Sequence, residues 1–194
     1  MQVTQRLRYL GLKWRAMAHL VLGRRPAALA LFEQMLREFP ADEYALASRA
    51  HLLVQTGERV AALQAMERLL QAYPGTASHW FNHGFMLEEA GEFQRAEDAF
   101  RRATELEPKL DRAWYGLGLV LIRLGRLDEA VAALKRNTQL QPMSPYGWYQ
   151  LARVHVDRHE PEEARKIIRH LHRFEPKVAA QLERETGLLV EQAG

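Results

Sequence analysis

Proline recurs in this chain at a fixed interval. Pro40, Pro74, Pro108, Pro142 and Pro176 are five of its eight prolines, each separated from the next by 34 residues. Other columns keep the same step. Gly23, Gly57, Gly91 and Gly125 recur with His159 in the fifth place, and Ala28, Ala62, Ala96, Ala130 and Ala164 form an unbroken column. A small residue occupies each of Ala16, Ala50, Gly84, Gly118 and Ala152; a large apolar one occupies Phe32, Met66, Phe100, Leu134 and Ile168. Leu12, Leu46, Trp80, Trp114 and Trp148 make a bulky column. A unit of this length cannot bury its own apolar face, so successive units must stack into one elongated core.

Each unit reads as two helices joined at the glycine, with proline after the second helix blocking its continuation. Pro26 and Pro161 fall near the starts of second helices, where a missing amide hydrogen costs little. Small side chains in one column and alanines in another let two helix backbones approach, and the bulky columns fill the space beside them. The predicted units are residues 9–42, 43–76, 77–110, 111–144 and 145–178, within a single domain covering 1–194. Thr4 is the expected N-cap of a first helix running to about Leu22. A capping helix is expected over about 177–189, with Leu182 facing inward.

These columns resemble the tetratricopeptide-repeat pattern, most fully in Trp80, Gly84, Gly91, Ala96, Phe100, Ala103 and Pro108. The resemblance implies an all-α, right-handed superhelical solenoid of antiparallel helix pairs, and a protein-binding scaffold whose first helices line a concave groove. Carried onto this chain, the groove residues expected to meet a partner are Trp14, Met17, Tyr44, His51, Phe81, Asn82, Phe85, Arg112, Tyr115, Leu119, Tyr146, Tyr149 and Arg153. Seven of them are aromatic, a residue type the repeat columns do not demand there and one that anchors interfaces. Apolar anchors of a peptide or helical segment are expected between the rings, with Asn82, Arg112 and Arg153 meeting polar or acidic groups. Gly116, beside Tyr115, is expected to leave a dent that a partner side chain enters. One use within the family, gripping the carboxylate of a chaperone tail, is matched only at Asn82 and Arg112; Ala47, His51 and Gly116 stand where other clamp residues belong.

Chemistry finds little support. The chain has no cysteine, which removes thiolate nucleophiles, thiolate zinc sites and disulfides. There is no phosphate-binding loop, and His79/His83 and His155/His159, each at helical i, i+4 spacing, offer only two ligands apiece. No enzymatic activity, cofactor or metal is expected. Formal charge is +3, with Glu88, Glu89 and Asp157 in the groove set, which argues against nucleic acid. No apolar run reaches the ~20 residues of a membrane-spanning helix, and Arg6, Arg8, Lys13 and Arg15 break up any signal-peptide core. The expectation is a cytoplasmic protein, and the excess of arginine over lysine points to a GC-rich, bacterial genome. Self-assembly is the alternative use of the groove, with one molecule's first helix lying in another's. Three residues sit oddly in a column that holds Leu117 and Leu151 elsewhere: Arg15, Arg49 and His83 must reach solvent or a partner. Asn137 also stands where Met35, Leu69 and Leu171 are apolar.

Overall fold

The computed structural model describes residues 3–190, and among them there are eleven α-helices and no strand. The chain divides into two compact units, residues 1–79 and 80–194. The first holds α1 (Val3–Val21), α2 (Arg25–Glu38), α3 (Glu43–Gln55), α4 (Arg59–Ala72) and the opening turn of α5 (Ala77–Glu89). The second holds the rest of α5, then α6 (Phe93–Leu106), α7 (Asp111–Arg123), α8 (Leu127–Leu140), α9 (Pro145–Asp157), α10 (Pro161–His172) and α11 (Pro176–Thr186). Consecutive helices pack as antiparallel pairs, giving the all-α repeat architecture that the 34-residue period implies.

The same turn joins the two helices of every pair. Gly57 at φ 80° donates to the Val54 carbonyl, and Glu58 donates to the Leu53 carbonyl across it. Gly23, Gly91 and Gly125 repeat this left-handed C-terminal cap with the same pair of bonds. His159 holds the place in the last pair at φ 59°, and among the described residues it is the non-glycine with a positive φ. The bulky column has a hydrogen-bonding role as well: Trp114 Nε1 donates to the Pro108 carbonyl at 3.1 Å and Trp148 Nε1 to the Pro142 carbonyl at 2.9 Å. The tryptophans thereby tie the proline turn to the helix that follows it.

In the C-terminal unit, Leu134, Leu151, Ala152, Ile168, Leu171 and Leu182 form one continuous buried cluster. The odd residues are accommodated individually. Asn137 is buried, and its Nδ2 donates to the Asp111 carbonyl at 2.9 Å, which gives the buried amide a partner. Arg15 reaches solvent, and Arg49 lies half-buried 3.8 Å from Glu33. His83 is buried with its ring tilted against Trp80.

Three local expectations need correction. Thr4 lies inside α1, which already runs at Val3, so it is not the N-cap. The last helix stops at Thr186, because Gly187 at φ 70° turns the chain back so that Leu188 and Val190 pack on the core. The space above Gly116 is not a free dent: a Cβ there would lie 2.6 Å from the Phe100 ring, which occupies it.

Candidate functional site: an aromatic groove in the C-terminal unit

In the C-terminal unit the first helices α5, α7 and α9 leave two open cavities that share Tyr115 as a wall. The larger, about 500 Å³, is lined by Phe81, Phe85, Phe93, Phe100, Tyr115 and Leu119, with Gly116 in its floor. Its floor exists because glycine at 84 and at 116 lets the Phe100 ring lie against both first helices; a Cβ at Gly84 would meet that ring at 2.9 Å. Phe81 leans on Phe100 with centroids 6.0 Å apart. Repeat positions that build the scaffold therefore also build the apolar base of the cavity.

Charge is placed at the rim. The Arg112 guanidinium, on the first turn of α7, lies 5.0 Å from the centre of the Phe81 ring. Glu88, Glu89 and Arg123, from the last turns of α5 and α7, border the same cavity. Burial pushes the Glu88 carboxyl above the usual carboxylate range, against a smaller opposing pull from Arg123. Tyr115 is raised as well, again mainly by burial, and Gln150 hydrogen-bonds its hydroxyl.

The second cavity, about 470 Å³, is bounded by Tyr115, Pro145, Tyr146, Tyr149 and Gln150, and by Glu175, Val178 and Gln181 around the start of α11. Here the last helix contributes directly. Tyr149 donates from its hydroxyl to Glu185 at 2.6 Å, and Arg153 lies 3.3 Å from the Tyr149 oxygen and 3.7 Å from Glu185. The Tyr149 bond, foremost, and then one from Gln181 at 2.8 Å hold the Glu185 carboxyl below its usual range.

Thus Phe81, Phe85, Arg112, Tyr115 and Leu119 come together around one cavity, and Tyr115, Tyr146 and Tyr149 around the next. Asn82 is exposed and lines neither, and Arg153 is drawn toward α11. Trp14, Met17, Tyr44 and His51 belong to the N-terminal unit. There Tyr44 is half-buried edge-on against Phe32 with the Lys13 ammonium 4.3 Å above its ring, and His51 bonds Gln55 at 2.9 Å. Phe93, from the start of a second helix, and Glu175, Val178 and Gln181, from α11 and the residue before it, line the cavities as well, outside the first helices to which the resemblance assigns the groove. Among the described residues no three histidine, aspartate or glutamate side chains gather as a metal site. His155 instead bonds Glu160 at 2.6 Å, and His79 Nε2 lies 3.4 Å from Glu43. None of the helices formed by the described residues is long and apolar enough to cross a membrane.

Tetratricopeptide-repeat family models match residues 22–82 and 86–145, together more than half of the chain. The chain belongs to the tetratricopeptide-repeat family. No curated protein sequence matches it. Among solved structures it is similar to a MamA protein, with 17% identity and a TM-score of 0.80 over 94% of this chain and 97% of that one. It is also similar to MamA residues 41–end from Desulfovibrio magneticus RS-1, with 19% identity and a TM-score of 0.77 over 91% and 96% of the two chains. A third is YrrB, described as a tetratricopeptide-repeat protein with an unusual peptide-binding site: 19% identity, TM-score 0.76, 87% and 88% covered. At these identities the likeness concerns the fold, the all-α solenoid of antiparallel helix pairs closed by a C-terminal capping helix.

Proposed function

We propose that this protein is a non-catalytic interaction module that binds a segment of a partner protein along the aromatic face of α5, α7 and α9. The observation that carries this reading is the pair of adjoining cavities with Tyr115 between them, apolar at the base and charged at the rim. Because they share Tyr115 as a wall, successive apolar side chains of one peptide can fill both. The YrrB description as a peptide-binding member of the fold supports the reading by analogy. The rim gives the peptide a direction. An acidic side chain, or a terminal carboxylate, pairs with Arg112 at one end of the larger cavity. A lysine or arginine answers the desolvated Glu88 and its neighbour Glu89 at the other. Within the N-terminal unit, Trp14, Met17, Tyr44 and His51 are proposed as partner contacts in their own right, and in the C-terminal unit Asn82 and Arg153 serve as polar contacts.

Selecting peptides from a displayed random library on the full chain tests this. The expected winners carry an apolar or aromatic anchor with an acidic residue on one side and a basic residue on the other. Phe85→Ala combined with Tyr115→Ala removes two walls of the larger cavity and is expected to weaken a selected peptide by at least about thirtyfold, the loss typical of two interface anchors. The helical circular dichroism stays unchanged. Undiminished binding by that double variant sinks the proposal.

A further inference from the structure

Helix α1 carries an apolar seam that the later first helices do not repeat. Val3, Leu7, Leu10, Trp14, Met17 and Val21 follow one another at alternating steps of four and three residues. This is the period of about 3.5 with which one helix packs along another. Val3 is 76% exposed, Leu7 65%, Leu10 38%, Trp14 64% and Val21 87%. The side of α1 that packs on α2 is marked by the buried Leu12 and Ala16, which at ~100° per residue lies across the helix from the seam. In the repeat register the seam positions from Leu10 onward are filled in the second unit by Tyr44, Ser48, His51 and Gln55, mostly polar residues. The apolar seam is therefore a property of α1 and not of the repeat.

Charge and side-chain size say what covers it. All charged residues of α1 are basic: Arg6, Arg8, Lys13 and Arg15, with no aspartate or glutamate between Val3 and Val21. Arg6 and Lys13, seven apart, border one edge of the seam, Lys13 with its ammonium 4.3 Å from the centre of the Tyr44 ring, while Arg8, on the flank, lies 3.8 Å from Glu38. Thr4, Gly11 and Ala18, also seven apart, border the other edge with side chains small enough for a partner backbone to come close. A second copy of α1 brings only further cations and forms no ion pair in either direction. A lipid surface also attracts basic amphipathic helices. The strict four–three spacing, however, makes a stripe one helix wide, with room beside it for a second backbone. We infer that α1 is the docking face for an acidic amphipathic helix of a partner protein. The seam includes Trp14 and Met17 of the proposed partner face, and to that extent the inference rests on that reading; it shares no residue with the two cavities of the C-terminal unit, so the two can fail independently.

The test titrates the full chain with a peptide of three heptads bearing leucine at the seam positions and glutamate beside them. A matched peptide with lysine in place of glutamate, and mixed phosphatidylcholine–phosphatidylglycerol vesicles, are titrated in parallel. The acidic peptide is expected to bind at least about tenfold more tightly than the basic one, with affinity falling as salt is raised. Leu7→Ser with Trp14→Ser is expected to lose at least about tenfold of that affinity, given the apolar area each side chain contributes. The circular dichroism stays unchanged, since both residues are exposed, and Phe85→Ala/Tyr115→Ala leaves this binding intact. Equal affinity for the two peptides, or full binding by the serine variant, overturns the inference. So does vesicle binding in place of peptide binding, or self-association of the chain that Leu7→Ser/Trp14→Ser abolishes.

Discussion

Single residues decide how closely two helices approach, and glycine at 116 is the clearest case. Its missing side chain is the space that the Phe100 ring fills, and Gly84 meets the same ring from the neighbouring first helix. Gly116→Ala is expected to cost about 1–3 kcal/mol, the usual penalty for overfilling a packed site, read as a lower thermal midpoint. The residue types at 84, 100 and 116 were legible as columns. That they converge on one ring was not, because a column records which positions are alike and not what each position faces. His159 shows the reverse: its left-handed φ follows directly from its place in the glycine column. His159→Gly is expected to stabilise by roughly 0.5–1 kcal/mol, since the strain relieved exceeds the added freedom of the unfolded chain, whereas Gly125→Ala is expected to destabilise by a similar amount. Thermal unfolding of the two variants side by side checks both signs.

Between elements, an ionic cluster joins α6 to α8 that the repeat pattern conceals. Glu97 stands in the column that holds Leu63 and Val131, and it is buried. It accepts from Arg101 at 2.7 Å and from Arg126 at 2.6 Å, and both arginines reach on to Glu129. A charged residue in an apolar column is the one sequence sign of such a cluster, and its partners are too far along the chain to be read from spacing. Glu97→Ala strands two arginines that keep partial access to water, so its expected cost is about 1–3 kcal/mol and not the full penalty of a buried unpaired charge. Hydrogen bonds from Arg126, and then from Arg101, hold the Glu129 carboxyl below its usual range. A depressed carboxylate stabilises the fold above its unfolded pKa, and that contribution disappears as pH falls through the folded value. Glu129→Gln should therefore differ from the wild type in thermal midpoint at neutral pH, and the difference should shrink on acidification below about pH 4.5. A difference that stays constant with pH would assign the loss to packing.

At the scale of the whole molecule, the fold was legible because a repeat prints the same packing problem several times in succession. Five prolines at one interval and unbroken small and bulky columns leave little else for the chain to build. The candidate site was legible in part. Aromatic residues on first helices pointed to Phe81, Phe85, Tyr115, Tyr146 and Tyr149, which line the two cavities. Phe93 and the wall supplied by α11 carry no sign in the repeat columns, because they arise from tertiary packing around the ends of helices. The same packing takes Arg153 toward Glu185 and leaves Asn82 outside both cavities. The central claim is that a partner segment lies across α5, α7 and α9. Its most direct test is amide and aromatic chemical-shift mapping of the full chain with a library-selected peptide. The account predicts the largest shifts at Phe85, Tyr115, Leu119 and Tyr146; shifts confined to α1, or to the second helices α6, α8 and α10, would contradict it.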